Sequence, residues 1–278
     1  MRENSTNYLD GKVVAITGAG GYICSAIARE LAGAGARVAL IDYKREGVER
    51  VAEDIRACGG IAEPYVANVM SERELVAVHE DIASDMGRVH ILINGAGGNN
   101  PAATCEREYA DGSMRDDFFS LDIEGVKSVF DLNFIGTFLP TKVFCRDMVG
   151  VEGTNILNIS SMNAYRPLTK IPAYSGAKAA VSNFTMWLAV HFAKVGVRVN
   201  AIAPGFFVTS QNRALLYDRE GRPTERTEKI LSATPMARFG NVEELLGAVT
   251  MLIDSSKASF VTGVVLPIDG GFSAYSGV

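Results

Sequence analysis

A tyrosine and a lysine that could handle a proton during catalysis stand four residues apart in the segment Tyr174-Ser-Gly-Ala-Lys178. The apolar run that follows, AAVSNFTMWLAVHFA, predicts a helix that ends near Gly196. Residues i and i+4 of a helix lie on one face about one turn apart, so the phenol and the ammonium can share a small space. A solvated lysine at the start of a helix would show the same spacing, so the rest of the chain must decide.

The chemistry open to this pair is the transfer of a proton to or from an oxygen atom. Free tyrosine has a pKa near ~10, which is too high for an efficient base at neutral pH. A neighbouring ammonium favours the phenolate and so lowers the pKa of the tyrosine. The spacing is therefore compatible with Tyr174 as an acid/base and Lys178 as its electrostatic partner, and equally with a solvated lysine.

Apolar runs that favour strands alternate with helical patterns along the chain. Continuous apolar strands separated by helices are typical of a parallel sheet covered on both faces. The predicted strands are 12–17, 37–42, 61–69, 89–95, 155–160, 197–204 and 263–271. In the third strand, Pro64 predicts that the strand begins properly only after the proline. Helices are predicted after the first strand, at 45–59, at 71–87, near 123–149, after Tyr174 and at 244–255.

No repeat and no low-complexity linker divides the 278 residues, so a single domain is expected over residues 1–278. Its predicted fold class is α/β, with one doubly wound, Rossmann-type parallel sheet and helices on both faces. Two insertions are expected at one edge, near 98–122 and 208–240. The second insertion contains the charged stretch DREGRPTER, which predicts a mobile lid on the substrate side.

Polar clusters occur where six of the predicted strands end. In a doubly wound sheet, ligands bind beyond the carboxyl ends of the strands, so these clusters are expected to converge on one crevice. In chain order the clusters are TGAGG, Asp42, Asn68, NGAGGNN, SSMN and PGFFVT.

The first two clusters predict a dinucleotide site. The glycines of TGAGG permit a tight turn and let backbone N–H groups approach a pyrophosphate at a helix N-terminus. Asp42 lies 24 residues after Gly18, where a carboxylate can accept hydrogen bonds from the adenosine ribose hydroxyls. It would also repel a 2′-phosphate, which favours NAD over NADP, although Lys44 and Arg45 close by leave NADP open.

Composition and charge argue against several other classes of protein. The net charge is −5 without a basic block, which argues against a nucleic-acid partner. No apolar run reaches the ~18 residues that span a bilayer, so no membrane association is expected. The first residues, MRENSTNYLDGK, lack the apolar core of a signal peptide, and a cytoplasmic location is expected. The four cysteines are scattered without a CxxC or Cys/His cluster, so we expect reduced thiols and no metal site.

Together, these motifs resemble those of the single-domain short-chain dehydrogenases/reductases over about residues 9–272. The resemblance rests on Thr17-Gly18, NGAG, the asparagine of LNF, the SS pair, YSGAK, the PG pair and the tail VTGVVLPIDGG. The family's catalytic serine lies 13 residues before the tyrosine, a spacing that matches Ser161 and not Ser160. The resemblance therefore implies that the catalytic residues are Asn133, Ser161, Tyr174 and Lys178.

The resemblance also implies further roles and contacts. In the family, the serine hydrogen-bonds the substrate oxygen, the lysine binds the nicotinamide ribose, and the asparagine anchors a water that links the lysine to solvent. The implied cofactor-binding residues are Thr17, Gly18, Gly20, Gly21, Tyr22, Ile23, Asp42, Asn68, Val69, Asn94, Gly95, Ala96, Gly97, Tyr174, Lys178, Pro204, Gly205, Phe207 and Thr209. The chain departs from the family pattern where Tyr22 and Cys24 replace glycines and Gly95 replaces an asparagine.

Longer matches such as GAGGNNP, SSMNAYRPLTKIPAYSGAK and IAPGFFVTSQNRALL are similar to the D-mannonate oxidoreductase, or fructuronate reductase, branch of the family. That branch interconverts D-fructuronate and D-mannonate with NAD(H). A sugar acid needs amides for its hydroxyls and a cation for its carboxylate, and arginine suits a carboxylate. The candidate substrate-binding residues are Asn99, Asn100, Ser161, Asn163, Arg166, Gln211, Asn212 and Arg213. Arg166 and Arg213 remain equal alternatives for the carboxylate, and either could instead form a surface ion pair.

Two other functions stay open from the sequence. The enzyme could act on another polyol, ketone or acyl thioester, although the polar asparagines disfavour a steroid or lipid. A cofactor-sensing protein could also use this fold without catalysis, but the complete set of four catalytic residues argues against it. The resemblance further implies a homotetramer.

Overall fold

The computed structural model describes residues 8–112, 117–209 and 213–277. Within these residues the strands are β1 (Val13–Thr17), β2 (Arg37–Asp42), β3 (Ile61–Val66), β4 (Val89–Asn94), β5 (Asn155–Ile159), β6 (Arg198–Pro204) and β7 (Val265–Ile268). They pair in parallel as one sheet in the order β3-β2-β1-β4-β5-β6-β7. The predicted doubly wound parallel sheet is confirmed.

The helices occupy the connections between the strands. They are α1 (Tyr22–Gly33), α2 (Arg45–Ala57), α3 (Glu72–Asp85), α4 (Ile123–Phe130), α5 (Gly136–Phe144), α6 (Pro172–Phe192), α7 (Arg213–Leu216), α8 (Glu225–Ser232), α9 (Glu243–Ile253) and α10 (Ser255–Ala258). The strand order reverses between β1 and β4. The turns after these two strands therefore flank a crevice at the carboxyl end of the sheet.

Both faces of the sheet are buried under apolar helices. Alternate residues of a strand point to opposite faces. Val14 and Ile16 of β1 pack in one layer with α1, α2 and α9. Val13 and Ala15 pack in the other layer with α3, α5 and α6. Because neither face meets water, the strands read as continuous apolar runs instead of alternating ones.

The prediction for the third strand was wrong at its start. Strand β3 begins at Ile61 and contains Pro64, which pairs with Leu40 of β2. Proline removes one N–H donor, which an interior strand would need for its second neighbour. Strand β3 lies at the edge of the sheet, so its outer side needs no partner and the proline is tolerated.

The predicted single helix near 123–149 is interrupted. Helix α4 passes into a π-helical turn at Asp131–Ile135 before α5 begins. Such turns hold an extra residue and often occur at functional sites. Asn133 lies in this turn, and its side-chain amide donates to Val129 O at 2.8 Å. The interruption therefore turns one buried polar side chain towards the loop after β4.

The two insertions contain short helical elements. The 98–122 segment has 3₁₀ turns at Pro101–Ala103 and Phe118–Ser120, and the 208–240 segment contains α7 and α8. An ion pair between Lys229 and Glu108, 2.9 Å apart, joins the two segments. The 208–240 segment, which the sequence predicts as a lid on the substrate side, is therefore partly helical. The ion pair joins it to the 98–122 segment.

Candidate active site

The turns after β1 and β4 are joined through Thr17. Its Oγ1 accepts hydrogen bonds from the backbone N–H groups of Gly95 at 3.1 Å and Ala96 at 3.4 Å. Gly18 has a φ of +67°, and a Cβ there would lie 2.8 Å from Ala96 N. Only glycine allows both this backbone conformation and this close approach. The two turns therefore form one rigid floor at the centre of the predicted dinucleotide site.

Asp42 closes β2 beside the glycine turn, as its spacing predicts. Its Oδ2 accepts from Gly20 N and its Oδ1 from Lys44 N, each at 3.1 Å. A Cβ on Gly20 would lie 3.3 Å from Asp42 Oδ2, so the glycine lets the carboxylate reach the turn. The carboxylate is held in one orientation at the carboxyl end of β2.

The two cations near Asp42 have other neighbours. Arg45 lies 3.3 Å from Glu49 in an exposed ion pair. The Lys44 ammonium lies 5.2 Å from the centroid of the Tyr43 ring. These contacts weaken the case for a 2′-phosphate site at this point.

Two departures from the family pattern explain each other. Cys24 is buried on α1, and a Cβ added to Gly95 would collide with its Sγ atom. An asparagine at position 95 and a cysteine at position 24 therefore compete for one space. The glycine after Asn94 makes room for the thiol. Tyr22, the third departure, begins α1 with 44% of its surface exposed, so it does not fill the glycine turn.

Ser161 and Tyr174 meet through their hydroxyl groups. Ser161 precedes a short 3₁₀ turn, and its Oγ accepts from Asn163 N at 3.2 Å. The same hydroxyl hydrogen-bonds the Tyr174 side chain, which opposes an increase in the pKa of the tyrosine. Burial is the larger effect and raises the pKa of Tyr174. The prediction that the pKa of Tyr174 is lowered is thus wrong in direction here. Burial disfavours the phenolate more strongly than the hydrogen bond with Ser161 favours it.

Lys178 lies beside the tyrosine, as the four-residue spacing predicts. Its Nζ is 5.7 Å from the centroid of the Tyr174 ring and donates to Ile159 O at 2.8 Å. The side chain is buried, and burial lowers the pKa of Lys178 to about 8. Lys178 therefore loses its proton, and with it its positive charge, at a lower pH than an exposed lysine does.

Asn133 completes the predicted catalytic set from a different element. It is fully buried, its Nδ2 donates to Gly98 O at 2.7 Å, and its Oδ1 accepts from Gly98 N at 3.2 Å. A Cβ on Gly97 would lie 2.6 Å from Asn133 Oδ1 and 3.2 Å from Lys178 Nζ. The loop after β4 thus brings the asparagine and the lysine to one point.

Polar side chains that sequence reasoning missed hold α6 against the sheet. Asn158 Nδ2 donates to Thr185 Oγ1 at 2.9 Å and its Oδ1 accepts from Asn94 Nδ2 at 2.9 Å. Ser160 Oγ donates to Lys178 O at 3.2 Å and lies 2.6 Å from Ser182 Oγ. The signal was available, because Asn158 is a polar residue within the buried strand β5 and Ser160 follows that strand directly. These hydrogen bonds fix the position of α6 relative to β5, and so also the positions of Tyr174 and Lys178 on that helix.

The remaining predicted cofactor residues surround the crevice, but several are used for packing. Asn68 N donates to Glu74 Oε2 at 2.8 Å, and Val69 packs against Gly136. A Cβ on Gly205 would lie 2.6 Å from Asp269 Cα, which places the C-terminal tail beside Pro204-Gly205. Phe207 is buried in the core layer that contains α1 and packs against Gly240.

The predicted substrate residues are only partly brought together. Asn99 donates to Thr104 within the 98–122 segment, and Asn100 donates to Ser128 of α4, so both amides are used to hold that segment in place. Asn163 Oδ1 is buried without a hydrogen-bond partner in the described parts of the chain.

The two candidate arginines both have other contacts. Arg166 donates to Phe272 O at 3.3 Å, and the Arg213 guanidinium lies 5.4 Å from the centroid of the Tyr217 ring. Gln211 and Asn212 lie outside the described residues. The roles of all these residues towards a substrate stay predictions.

A metal-binding cluster and a membrane-spanning helix are both absent from the described ranges. Residues 8–112, 117–209 and 213–277 contain no cluster of three or more His, Cys, Asp or Glu side chains suited to a metal. In the same ranges, no helix has both the length and the apolar character needed to span a membrane.

Known proteins match this chain over nearly its whole length. The family model described as short chain dehydrogenase matches residues 12–220. An uncharacterized oxidoreductase of Haemophilus influenzae is 56% identical over 281 residues, with 100% of this chain and 99% of the relative covered. An uncharacterized oxidoreductase of Bacillus subtilis is 49% identical over 271 residues, with 97% and 98% covered. A crystal structure of a candidate D-mannonate oxidoreductase from Haemophilus influenzae with bound NAD is 56% identical, covers 99% of both chains and has a TM-score of 0.95.

Proposed function

The chain belongs to the short-chain dehydrogenase family and is an oxidoreductase acting on CH–OH groups, and from this premise we propose that it interconverts D-fructuronate and D-mannonate with NAD(H). The observation that carries the reaction type is a chain of contacts: Ser161 hydrogen-bonds Tyr174, Lys178 lies over the Tyr174 ring, and Asn133 and Lys178 meet beside Gly97. The substrate is supported by the 56% identity to the NAD-bound candidate D-mannonate oxidoreductase.

The chain's own residues fit a dinucleotide at the end of β1. The N-cap of α1 is Gly21, which has no side chain to cap the helix, and the first turn of α1 has no acidic residue. Unsatisfied N–H groups and the positive end of the helix dipole suit a pyrophosphate. The adenosine ribose would lie against Asp42 and the nicotinamide ribose against Lys178. When bound, the dinucleotide supplies or accepts the hydride.

NAD is proposed over NADP because of the charge at the end of β2. The Asp42 carboxylate is fixed by two backbone donors and would repel a 2′-phosphate. Arg45, which could offset that repulsion, pairs with Glu49.

In the direction of reduction, Tyr174 would donate its proton to the oxygen that becomes the alcohol. A raised pKa keeps the phenol protonated at neutral pH, which suits an acid. Ser161 already accepts from Asn163 N, so its own proton can be directed at the substrate oxygen to stabilise developing charge. Lys178 would favour the phenolate that forms. Oxidation needs that phenolate at the start, so it is expected to require a higher pH.

A homotetramer is proposed for the assembly, with a second copy of the chain covering one face of α6. Trp187 and Val190 of that helix are 56% and 80% exposed. Trp187 stacks between Phe184 and His191, and Phe184 stacks on Phe138 of α5. Exposed apolar surface of this kind marks an interaction site.

The test of the proposed function is NADH consumption by the purified protein with D-fructuronate. D-Tagaturonate, neutral polyols and simple ketones serve as competing substrates, and D-mannonate oxidation with NAD tests the reverse direction. We expect kcat/KM for D-fructuronate to exceed that for the other substrates. A preference for a neutral polyol or ketone would instead support the alternative dehydrogenase. No turnover of any of them would contradict the proposed substrate.

Tyr174→Phe tests the proposed acid/base. The substitution removes only the hydroxyl, so turnover is expected to fall by at least about 10²-fold while NADH binding is retained. Turnover near the wild-type rate would show that another group transfers the proton.

A further inference from the structure

A cavity of about 350 Å³ lies between the loop before α6 and helix α8. Its wall combines the loop before α6, the residue Phe206 after β6, helix α8 and the tail residue Phe272. Ser161 and Tyr174 are not part of that wall, but the lining residues Leu168, Thr169 and Lys170 lead directly into α6, which carries Tyr174. Its size is within the range of small-molecule sites.

The charged groups of the wall leave a positive balance. They are Glu108, Lys170, Glu225, Arg226 and Lys229. Lys229 lies 2.9 Å from Glu108 and 3.1 Å from Glu225, so it satisfies both carboxylates. In the part of the chain that the structure describes, neither Lys170 nor Arg226 has a carboxylate within 4.0 Å. The cavity therefore presents two cations to whatever enters it.

Lys170 has a strained backbone. Its φ is +74°, and Ala237 is the other non-glycine residue of the described ranges with a positive φ. The left-handed conformation is unfavourable for a residue with a Cβ, and such strain concentrates at functional sites. The loop is held there by a hydrogen bond from Cys105 N to Lys170 O at 2.7 Å. A glycine would adopt the same backbone conformation without strain, so a lysine at this position indicates a role for its side chain.

We propose that Lys170, assisted by Arg226, binds the carboxylate of the sugar acid in this cavity while its keto carbon lies at Tyr174. This inference rests on the proposed function. In D-fructuronate the carboxylate and the keto carbon lie towards opposite ends of the carbon chain, which requires two separate subsites. Tyr174 is the fourth residue after Lys170, so their Cα atoms are at most about 14 Å apart, within reach of two long side chains.

This assignment replaces the two arginines expected from the sequence. Arg166 donates to the backbone carbonyl of Phe272, and Arg213 lies over the Tyr217 ring. Neither belongs to the wall of the cavity. Lys170 and Arg226 line it from two different elements, the loop before α6 and helix α8, and could bind one carboxylate together.

The experiment compares Lys170→Gly, Lys170→Arg and Ala237→Gly with the wild type. KM and kcat are measured for D-mannonate oxidation, and Tm is measured without substrate. For Lys170→Gly we expect KM to rise at least about tenfold, with a smaller change in kcat, because a charge-assisted hydrogen bond to the carboxylate is lost. The Tm of this variant is expected to rise, because glycine relieves the strain.

The other two variants separate charge from backbone. Lys170→Arg keeps the charge and is expected to recover most of the affinity for D-mannonate. Ala237→Gly relieves the same kind of strain outside the cavity wall, so its Tm is expected to rise while KM stays at the wild-type value.

The outcomes distinguish this inference from the proposed function. An unchanged KM in Lys170→Gly, with the wild type active on D-mannonate, overturns the inference and leaves the proposed function intact. An equal rise in KM for Lys170→Gly and Ala237→Gly overturns it too, because loop conformation and not charge would then set affinity. A wild type that oxidises no sugar acid removes the proposed function and the inference together.

Discussion

At the scale of single residues, burial acts on Tyr174 and Lys178 in opposite directions. It raises the pKa of the tyrosine and lowers that of the lysine to about 8, since each charged form loses its hydration. The pair is therefore biased towards the neutral phenol and, in mildly alkaline solution, the neutral amine. This state suits proton donation to a ketone better than proton removal from an alcohol.

The pH dependence of the reaction follows from these directions. Ketone reduction uses a protonated Tyr174 and a cationic Lys178, and the cation is lost as the pH rises through about 8. We expect kcat for reduction to fall between about pH 7 and about pH 9, whereas oxidation rises over the same interval. The measurement is the pH profile of kcat in both directions. Lys178→Arg keeps its charge and is expected to move the fall in reduction to higher pH, and two parallel profiles would contradict this account.

Asp42 offers a second test at this scale. Asp42→Ser removes the negative charge beside the expected ribose, so the preference for NADH over NADPH in kcat/KM is expected to fall at least about tenfold. Glu53→Gln is a matched carboxylate change at an exposed position of α2 and should leave the preference nearly unchanged. An unaltered preference in Asp42→Ser would show that another group reads the cofactor.

At the scale of elements, helix α6 and the turns after β1, β4 and β5 position the chemistry. Asn158 of β5 and Ser160 just after it bond the hydroxyl groups of Thr185 and Ser182 on α6, and Lys178 donates to Ile159 O. The floor of the site depends in addition on how the turn after β4 packs against α1.

That packing can be tested by exchanging the two unusual residues. Gly95→Asn alone would collide with Cys24 and is expected to cost about 1–3 kcal/mol of unfolding free energy through overpacking. Cys24→Gly in the same chain removes the collision, so the double variant is expected to be more stable than Gly95→Asn. Stability is measured by urea unfolding.

A neighbouring glycine provides the control for that exchange. A Cβ on Gly98 would meet only Leu132 Cδ2 at 3.7 Å among the residues that the structure describes, so Gly98→Ala is expected to be tolerated. If the double variant were no more stable than Gly95→Asn, the two positions would not be coupled as the structure indicates.

At the scale of the whole molecule, the proposed tetramer depends on the exposed side of α6. Trp187→Glu combined with Val190→Glu puts two charges on this face, which would be buried in a tetramer. We expect the wild type to sediment as a tetramer and the variant as a smaller species with unchanged circular dichroism. Ile61→Glu, on edge strand β3, serves as the matched control and should keep the wild-type state. A monomeric wild type would contradict the proposed assembly.

Much of this architecture could be predicted from local residue patterns. The parallel sheet and the contact between Tyr174 and Lys178 depend on periodicity and spacing within short segments, so both could be predicted. The start of β3 could not, because Pro64 is tolerated only at an edge, and the edge is set by strands far away in the chain. The π-helical turn around Asn133 was missed for a similar reason, since its side chain bonds to Gly98 in another loop.

The sequence by itself determined which residues could do chemistry and which elements carry them, because hydrophobic periodicity and i,i+4 spacing act over a few residues. Tertiary structure alone decided the direction of the pKa shift of Tyr174, the fit of Cys24 against Gly95 and the two unpaired cations of the Lys170 cavity. Each of these depends on desolvation or contact between segments distant in sequence. Such effects exist only once the sheet has brought those segments together.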